Sequence, residues 1–164
     1  MPEKIVIKVD GREINDNVLN DIHDLEIDSD YYLPSMFSIT LQDIMDLNSD
    51  TLEYTDKDTF KLGAKVEVSI STDVSTETSL VTNTIFKGEI TSIEPVFEED
   101  GNAYLRVRGY DRSHRLMRGK FTRTYGDGNS ESTTDADIVN TIVRDHGLQA
   151  KVDSSGISSI KYSY

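Results

Sequence analysis

The 164-residue sequence contains no cysteine. Disulfides, thiolate nucleophiles and Cys-based metal sites are therefore excluded. Long apolar runs are also missing. None approaches the ~18–20 residues a membrane-spanning helix needs, and residues 1–20 lack the apolar stretch of an export signal, so a soluble chain without stable membrane insertion is expected. Hydrophobic residues make up 36%, below the roughly 45–50% of globular domains, a benchmark that also counts Gly. A modest core is expected. Positive charge is scarce as well, with 17 Lys and Arg against 30 Asp and Glu and a net charge of -13. Nucleic-acid binding needs positive potential over the contact face, so specific binding of DNA or RNA is not expected.

Seven of the 17 cations are gathered in one stretch. Residues 103–125 hold Arg106, Arg108, Arg112, Arg115, Arg118, Lys120 and Arg123, with Asp111 as their single acid. Residues 1–60 hold four cations and fifteen acids. So sharp a split points to a surface made to meet an acidic partner, another copy of the same chain included.

Residues up to about 111 read as strands. Ile5, Ile7 and Val9 alternate with Lys4, Val6 and Lys8, and Asp10-Gly11 is a tight-turn dipeptide before a short return over Arg12–Ile14. His23, Leu25 and Ile27 alternate with Asp24, Glu26 and Asp28, giving a strand with one acidic face. Phe37, Ile39 and Leu41 mark a third strand. Gln42–Lys61 has no clean period and six acids, and reads as a loop with at most one helical turn. Gly63 opens a strand through Val66, Val68 and Ile70, and polar Ser71–Asn83 suits a hairpin tip. Ile85–Phe97 is long, with Phe86 and Ile90 in phase but Ile93 out of phase, which predicts a bulge near Thr91-Ser92. A turn at Asp100-Gly101 leads to a last strand through Leu105, Val107 and Gly109. Six or seven antiparallel strands joined by hairpins predict a mainly β fold, a small barrel or sandwich.

Beyond Tyr110 the period changes. Asp111 can cap a short helix from Arg112 to Arg118, with Leu116 and Met117 facing the sheet and Gly119 in the left-handed position past its end. Gly126–Thr133 reads as a loop. Thr134-Asp135-Ala136-Asp137 resembles a capping box, before a helix through Ile138, Val139, Ile142 and Val143 that ends at His146-Gly147. Ala150–Val152 suits a short strand, and Ile160–Tyr164 looks like the start of another. The expected organisation is a β domain over residues 1–120, then a helical appendage and the beginning of a further domain over 121–164.

Reactive chemistry is not expected. Asp111, Ser113 and His114 hold the letters of a hydrolase triad, but such groups must converge from separate segments, and these share one turn. His23 and His146 have no second His or Cys at ligand spacing. Asp127–Glu131 and Asp28-Ser29-Asp30 fail the spacing of a calcium loop. The reading is of a non-enzyme without metal or cofactor.

Three blocks carry a family resemblance: Ile85–Ile90 with Ile93-Glu94-Pro95, Leu105–Gly119, and Thr122–Tyr125 with Asp135–Gly147. Together they resemble the N-terminal part of phage late control protein D and of the valine-glycine-repeat spike proteins of contractile injection systems, including type VI secretion. The likeness is strong over about residues 60–148 and weaker before that. It implies a tail-tube-like β-barrel and a role as a structural baseplate hub. It also implies a homotrimer linking the tail tube above to a needle below, assembled in the cytoplasm and carried in a virion or released particle. Arg112, Arg115 and Arg118 would then pair with Asp24, Glu26 or Asp28 of a neighbouring copy, while Asp111, Gly119 and Gly147 shape the connection. A free-standing β module binding a ligand or carbohydrate is the alternative, and a peptidoglycan hydrolase a third reading.

Overall fold

A computed structural model of the chain describes residues 3–46, 48–73, 80–125 and 134–152. The expected features at residues 74–79, 126–133 and 153–164 lie outside these. By compactness the chain divides after Arg112 into two units. The sequence reading set that boundary at residue 120. It falls earlier because the last ladder pair, Gly88 with Asp111, ends the sheet there.

The first unit is a seven-stranded antiparallel sheet. Its strands are β1 (Glu3–Val9), β2 (Arg12–Glu13), β3 (Ile22–Asp28), β4 (Met36–Gln42), β7 (Lys65–Asp73), β8 (Leu80–Phe97) and β9 (Ala103–Asp111). A separate hairpin joins β5 (Met45–Asp46) to β6 (Thr51–Leu52), and a five-residue helix, α1 (Asp16–Asn20), lies between β2 and β3. The order across the sheet is β2-β1-β7-β8-β9-β4-β3. Asp10 and Gly11 both take positive φ, 49° and 79°, the pair of values that a two-residue hairpin needs. The ladder between β8 and β9 shifts between Ile90 and Ser92, the site of the expected bulge.

The fold is mainly antiparallel β with a small helical part, but the sheet is not a closed barrel. β2 and β3 end it, and no ladder joins them among the described residues. Part of the free edge of β1 is taken by two-residue β2 and by the bond from Ile14 N to Ile7 O (2.9 Å). α1 is set there too, capped by the Asn15 side chain, which accepts from Val18 N, and anchored by buried Val18. A helix at this seam has no strand edge to offer, so the ladder stops. The core is nonetheless single, running from Ile7 and Val68 to Phe37, Ile39, Leu41, Leu105 and Val107, all fully buried.

Two glycines let this core pack. A Cβ on Gly109 would stand 2.1 Å from the Glu89 carbonyl oxygen and 2.4 Å from the Phe37 ring. One on Gly88 would meet the Tyr110 carbonyl oxygen at 2.3 Å and the Phe86 ring at 2.5 Å. The two rings, 5.1 Å apart and tilted by 55°, thus lie against bare backbone, Phe37 against Gly109 of the neighbouring strand and Phe86 against Gly88 of its own.

The stretch expected as a loop with a helical turn is the β5–β6 hairpin. Its turn is built by acids: the Asp46 carboxylate accepts from Asn48 N and Ser49 Oγ, and Asp50 turns the chain at φ 55°. Such local bonds offer the backbone an alternative to helix.

In the second unit, a 3-10 helix (Arg112–Met117) continues from β9, and α2 spans Asp135–Asp145. Thr134 and Asp137 form the capping box, each side chain bonding the other's backbone N–H. At the far end Gly147 takes φ 68°, with Gly147 N bonded to Arg144 O and Leu148 N to Val143 O. That is the left-handed end expected of a glycine after a helix. Gly119 departs from the sequence reading, since its φ is not positive. The helix before it is 3-10 and closes through Arg118 N to Arg115 O at 3.5 Å, which needs no left-handed residue.

Candidate assembly surface

The inner face of the sheet is the core, so the charges of β3, β8 and β9 stand on the outer face. Alternation puts Leu25 and Ile27 inward and Asp24, Glu26 and Asp28 outward on the edge strand. These three carboxylates have no hydrogen bond or ion pair among the described residues. Charge on an edge strand also discourages unwanted strand pairing.

Two strands away, Arg106 and Arg108 rise from β9 and share Glu94 of β8, at 3.8 and 3.9 Å. Between the acidic and the basic row lies β4, with Met36, Ser38 and Thr40 on the same face.

Arg112, Arg115 and Arg118 sit on or just after the 3-10 helix. Three residues per turn aligns them more strictly than an α-helix would. Arg112 and Arg118 are exposed and Arg115 half-buried; Arg118 Nη2 lies 2.6 Å from His114 Nε2. Leu116 and Met117 keep 39% and 58% of their surface exposed. Arg123 bonds Asp145 at 2.5 Å and lies 5.4 Å over the Phe121 ring. That contact holds the Asp145 carboxyl below its usual pKa and raises Arg123. Asp111 accepts from Ser35 N at 2.8 Å, and its own N–H donates to Ser35 O at 2.8 Å. It thus ties β9 to the chain entering β4.

Several structural acids escape a sequence reading. Asp43, almost fully buried, accepts from Tyr54 N (2.8 Å), Thr55 N (3.0 Å) and Thr55 Oγ1 (2.5 Å). The Tyr54 hydroxyl donates to Asp21, and burial, followed by that bond, pushes its pKa well above the usual tyrosine value. These partners lie 11 to 33 residues apart, beyond any local motif. Asp30, within the weak calcium-like run, accepts from Tyr32 N and Leu33 N at 2.6 and 3.0 Å. It thereby sets a loop whose tip exposes Tyr31 (92%), Tyr32 (83%) and Leu33 (61%). A preorganised aromatic tip of this kind is a frequent contact element.

Taken together, the first unit defines a curled, mainly antiparallel sheet whose outer face is charged and whose edge loop is aromatic. The chain belongs to the family described as the Alg8 N-terminal domain, which matches residues 3–162. That description differs from the late control protein D group resembled by its motifs. The fold is similar to the crystal structure of the 43 kDa tail protein of prophage MuSo2 from Shewanella oneidensis, with a TM-score of 0.61 and 16% identity. The likeness covers 98% of this chain but only 43% of that one, so the chain spans less than half of the tail protein's length. At this identity the likeness shows the fold alone. No curated protein matches the sequence.

Proposed function

We propose that the chain is a structural component of a phage-like tail, the first sheet domain of a baseplate hub that joins a tail tube to a needle. The observation that carries this reading is the likeness of nearly the whole chain to a prophage tail protein. It agrees with the blocks around Gly88, Gly109 and Asp135–Gly147, which resemble hub proteins. The segregated charge and the exposed Tyr31-Tyr32-Leu33 tip suit a part that works through contacts and not through catalysis. On this reading three copies assemble, and the Arg112/Arg115/Arg118 row meets Asp24, Glu26 and Asp28 of a neighbour.

Sedimentation velocity of the full chain tests it. A trimer is expected, reduced to monomer by Arg115→Glu with Arg118→Glu. A trimer that survives this reversal removes the arginine row from the interface. A chain that stays monomeric and does not bind tail-tube protein overturns the hub assignment.

A further inference from the structure

On the outer face, charge runs in stripes along the strands. The ladder aligns Asp24, Thr40 and Arg106 in one row and Glu26, Ser38 and Arg108 in the next. The middle residues are short, so each row dips between its charged ends. The result is an open trough of about 460 Å³, its floor formed by Ser38 and Thr40 and ending at Met36. Neighbouring strands lie about 4.8 Å apart, so the acidic and basic rails stand roughly 10 Å from each other, and among the described residues no ion pair spans them. The carboxylates of Asp24 and Glu26 have no partner among the described residues. Among the described residues the Arg106 and Arg108 guanidinium groups pair only with Glu94, at 3.8 and 3.9 Å, on the side away from the trough.

We propose that this trough seats an extended polypeptide segment in which cationic and anionic side chains alternate. An extended chain repeats every two residues, about 6.6–6.8 Å, which is also the spacing of Asp24 to Glu26 and of Arg106 to Arg108 along their strands. Successive side chains of the guest therefore point in turn to the two rails, cations to β3 and anions to β9. A wholly cationic guest satisfies β3 but confronts Arg106 and Arg108; a wholly anionic one does the reverse. Selectivity thus comes from repulsion as much as from attraction. Exposed ion pairs are individually weak and screened by salt, so binding needs several in register. The inference does not rest on the hub reading; in a trimer built on the arginine row, the guest competes with the neighbour's Arg112, Arg115 and Arg118 for Asp24 and Glu26.

The test is fluorescence anisotropy of the full chain at low salt with a labelled peptide of alternating Lys and Glu, compared with Lys–Ser and Glu–Ser peptides of equal length. The alternating peptide binds at least about tenfold more tightly than either control, and Glu26→Lys or Arg108→Glu alone weakens it about tenfold. Reversing both rows together (Asp24→Lys, Glu26→Lys, Arg106→Glu and Arg108→Glu) regains most of the binding, because the guest shifts by one residue and presents anions to β3 and cations to β9. Equal binding of the Lys–Ser peptide overturns the proposal in favour of simple attraction to acids. A four-site reversal that binds no better than the single variants also overturns it. Thermal melts monitor folding, and if a reversal unfolds the chain, Glu26→Gln and Arg108→Gln must show the same weakening. A chain that is monomeric yet binds the alternating peptide keeps this inference while losing the hub.

Discussion

The two units are ordered by different means. Every fully buried apolar side chain lies between Ile7 and Val107, in the sheet, whereas neither the 3-10 helix nor α2 buries any residue. The sheet is a cored structure, held by long-range packing. The helical unit is held at its ends, by a capping box, a glycine terminus and the Arg123–Asp145 pair. An isolated helix of eleven residues is marginal in water. Its half-buried Ile138, Ile142 and Val143 form a stripe that the unit covers only in part. The lesson is that substitutions in the sheet should act on the whole molecule and substitutions in the helical unit should stay local.

The strongest test of that contrast is Gly109→Ala. The added carbon would meet backbone at 2.1 Å and a packed ring at 2.4 Å, and neither is the free end of a flexible chain. Strands β8 and β9 must separate or Phe37 must leave the core. We expect a loss above about 4 kcal/mol, the exceptional end for single substitutions, or failure to fold. Urea denaturation followed by circular dichroism reads it. A loss under about 1 kcal/mol would mean that the two strands are not locked by these rings.

Asp43→Ala comes next. Its carboxylate gathers three donors from Tyr54 and Thr55, while its own N–H bonds Ala103 O at 2.8 Å, so the β5–β6 hairpin is fastened to β9 through this residue. Leaving buried donors unsatisfied costs about 1–3 kcal/mol. Hydrogen exchange should speed up at Tyr54 and Thr55 before the sheet is affected. Uniform acceleration across the sheet would instead show that the hairpin is part of the core's cooperative unit.

The same division explains what could be read from the residues alone. Alternation is a local signal, so the strands around Ile7, Phe37, Val68 and Val107 were legible, as was the bulge beside Ile93. Thr134 and Asp137 are three apart and spell their own cap. What was hidden depends on pairing between distant segments. No spacing reveals that β4 lies between β3 and β9, and without that order the acidic and basic rows cannot be placed across one trough. The charges were visible, but their facing arrangement was not. The glycines show the same limit, since Gly109 alternated correctly in its strand but its ring neighbour Phe37 lies 72 positions away. Closure failed as a prediction because α1 is too short to mark itself by periodicity.

The smallest effect is expected from Thr134→Ala, which removes the capping box. Loss of an N-cap destabilises by about 1 kcal/mol, and here it should act on α2 alone. The hydrogen bonds from the Thr134 hydroxyl and then its backbone N–H hold the Asp137 carboxyl below its usual range. A group whose folded pKa is depressed adds stability that is present above its unfolded value, ~3.9, and lost as pH falls through the folded value. Acidification below about pH 4 should therefore fray the first turn of α2 in the natural chain. In the variant that turn should already be frayed at neutral pH and respond less to acid. Backbone amide exchange and chemical shifts at Asp135–Ile138, followed from pH 6 downward, separate the two cases. If the variant keeps the same acid response, Asp137 is held by something other than the Thr134 hydroxyl. If instead the sheet amides move with those of α2, the two units are not independently ordered.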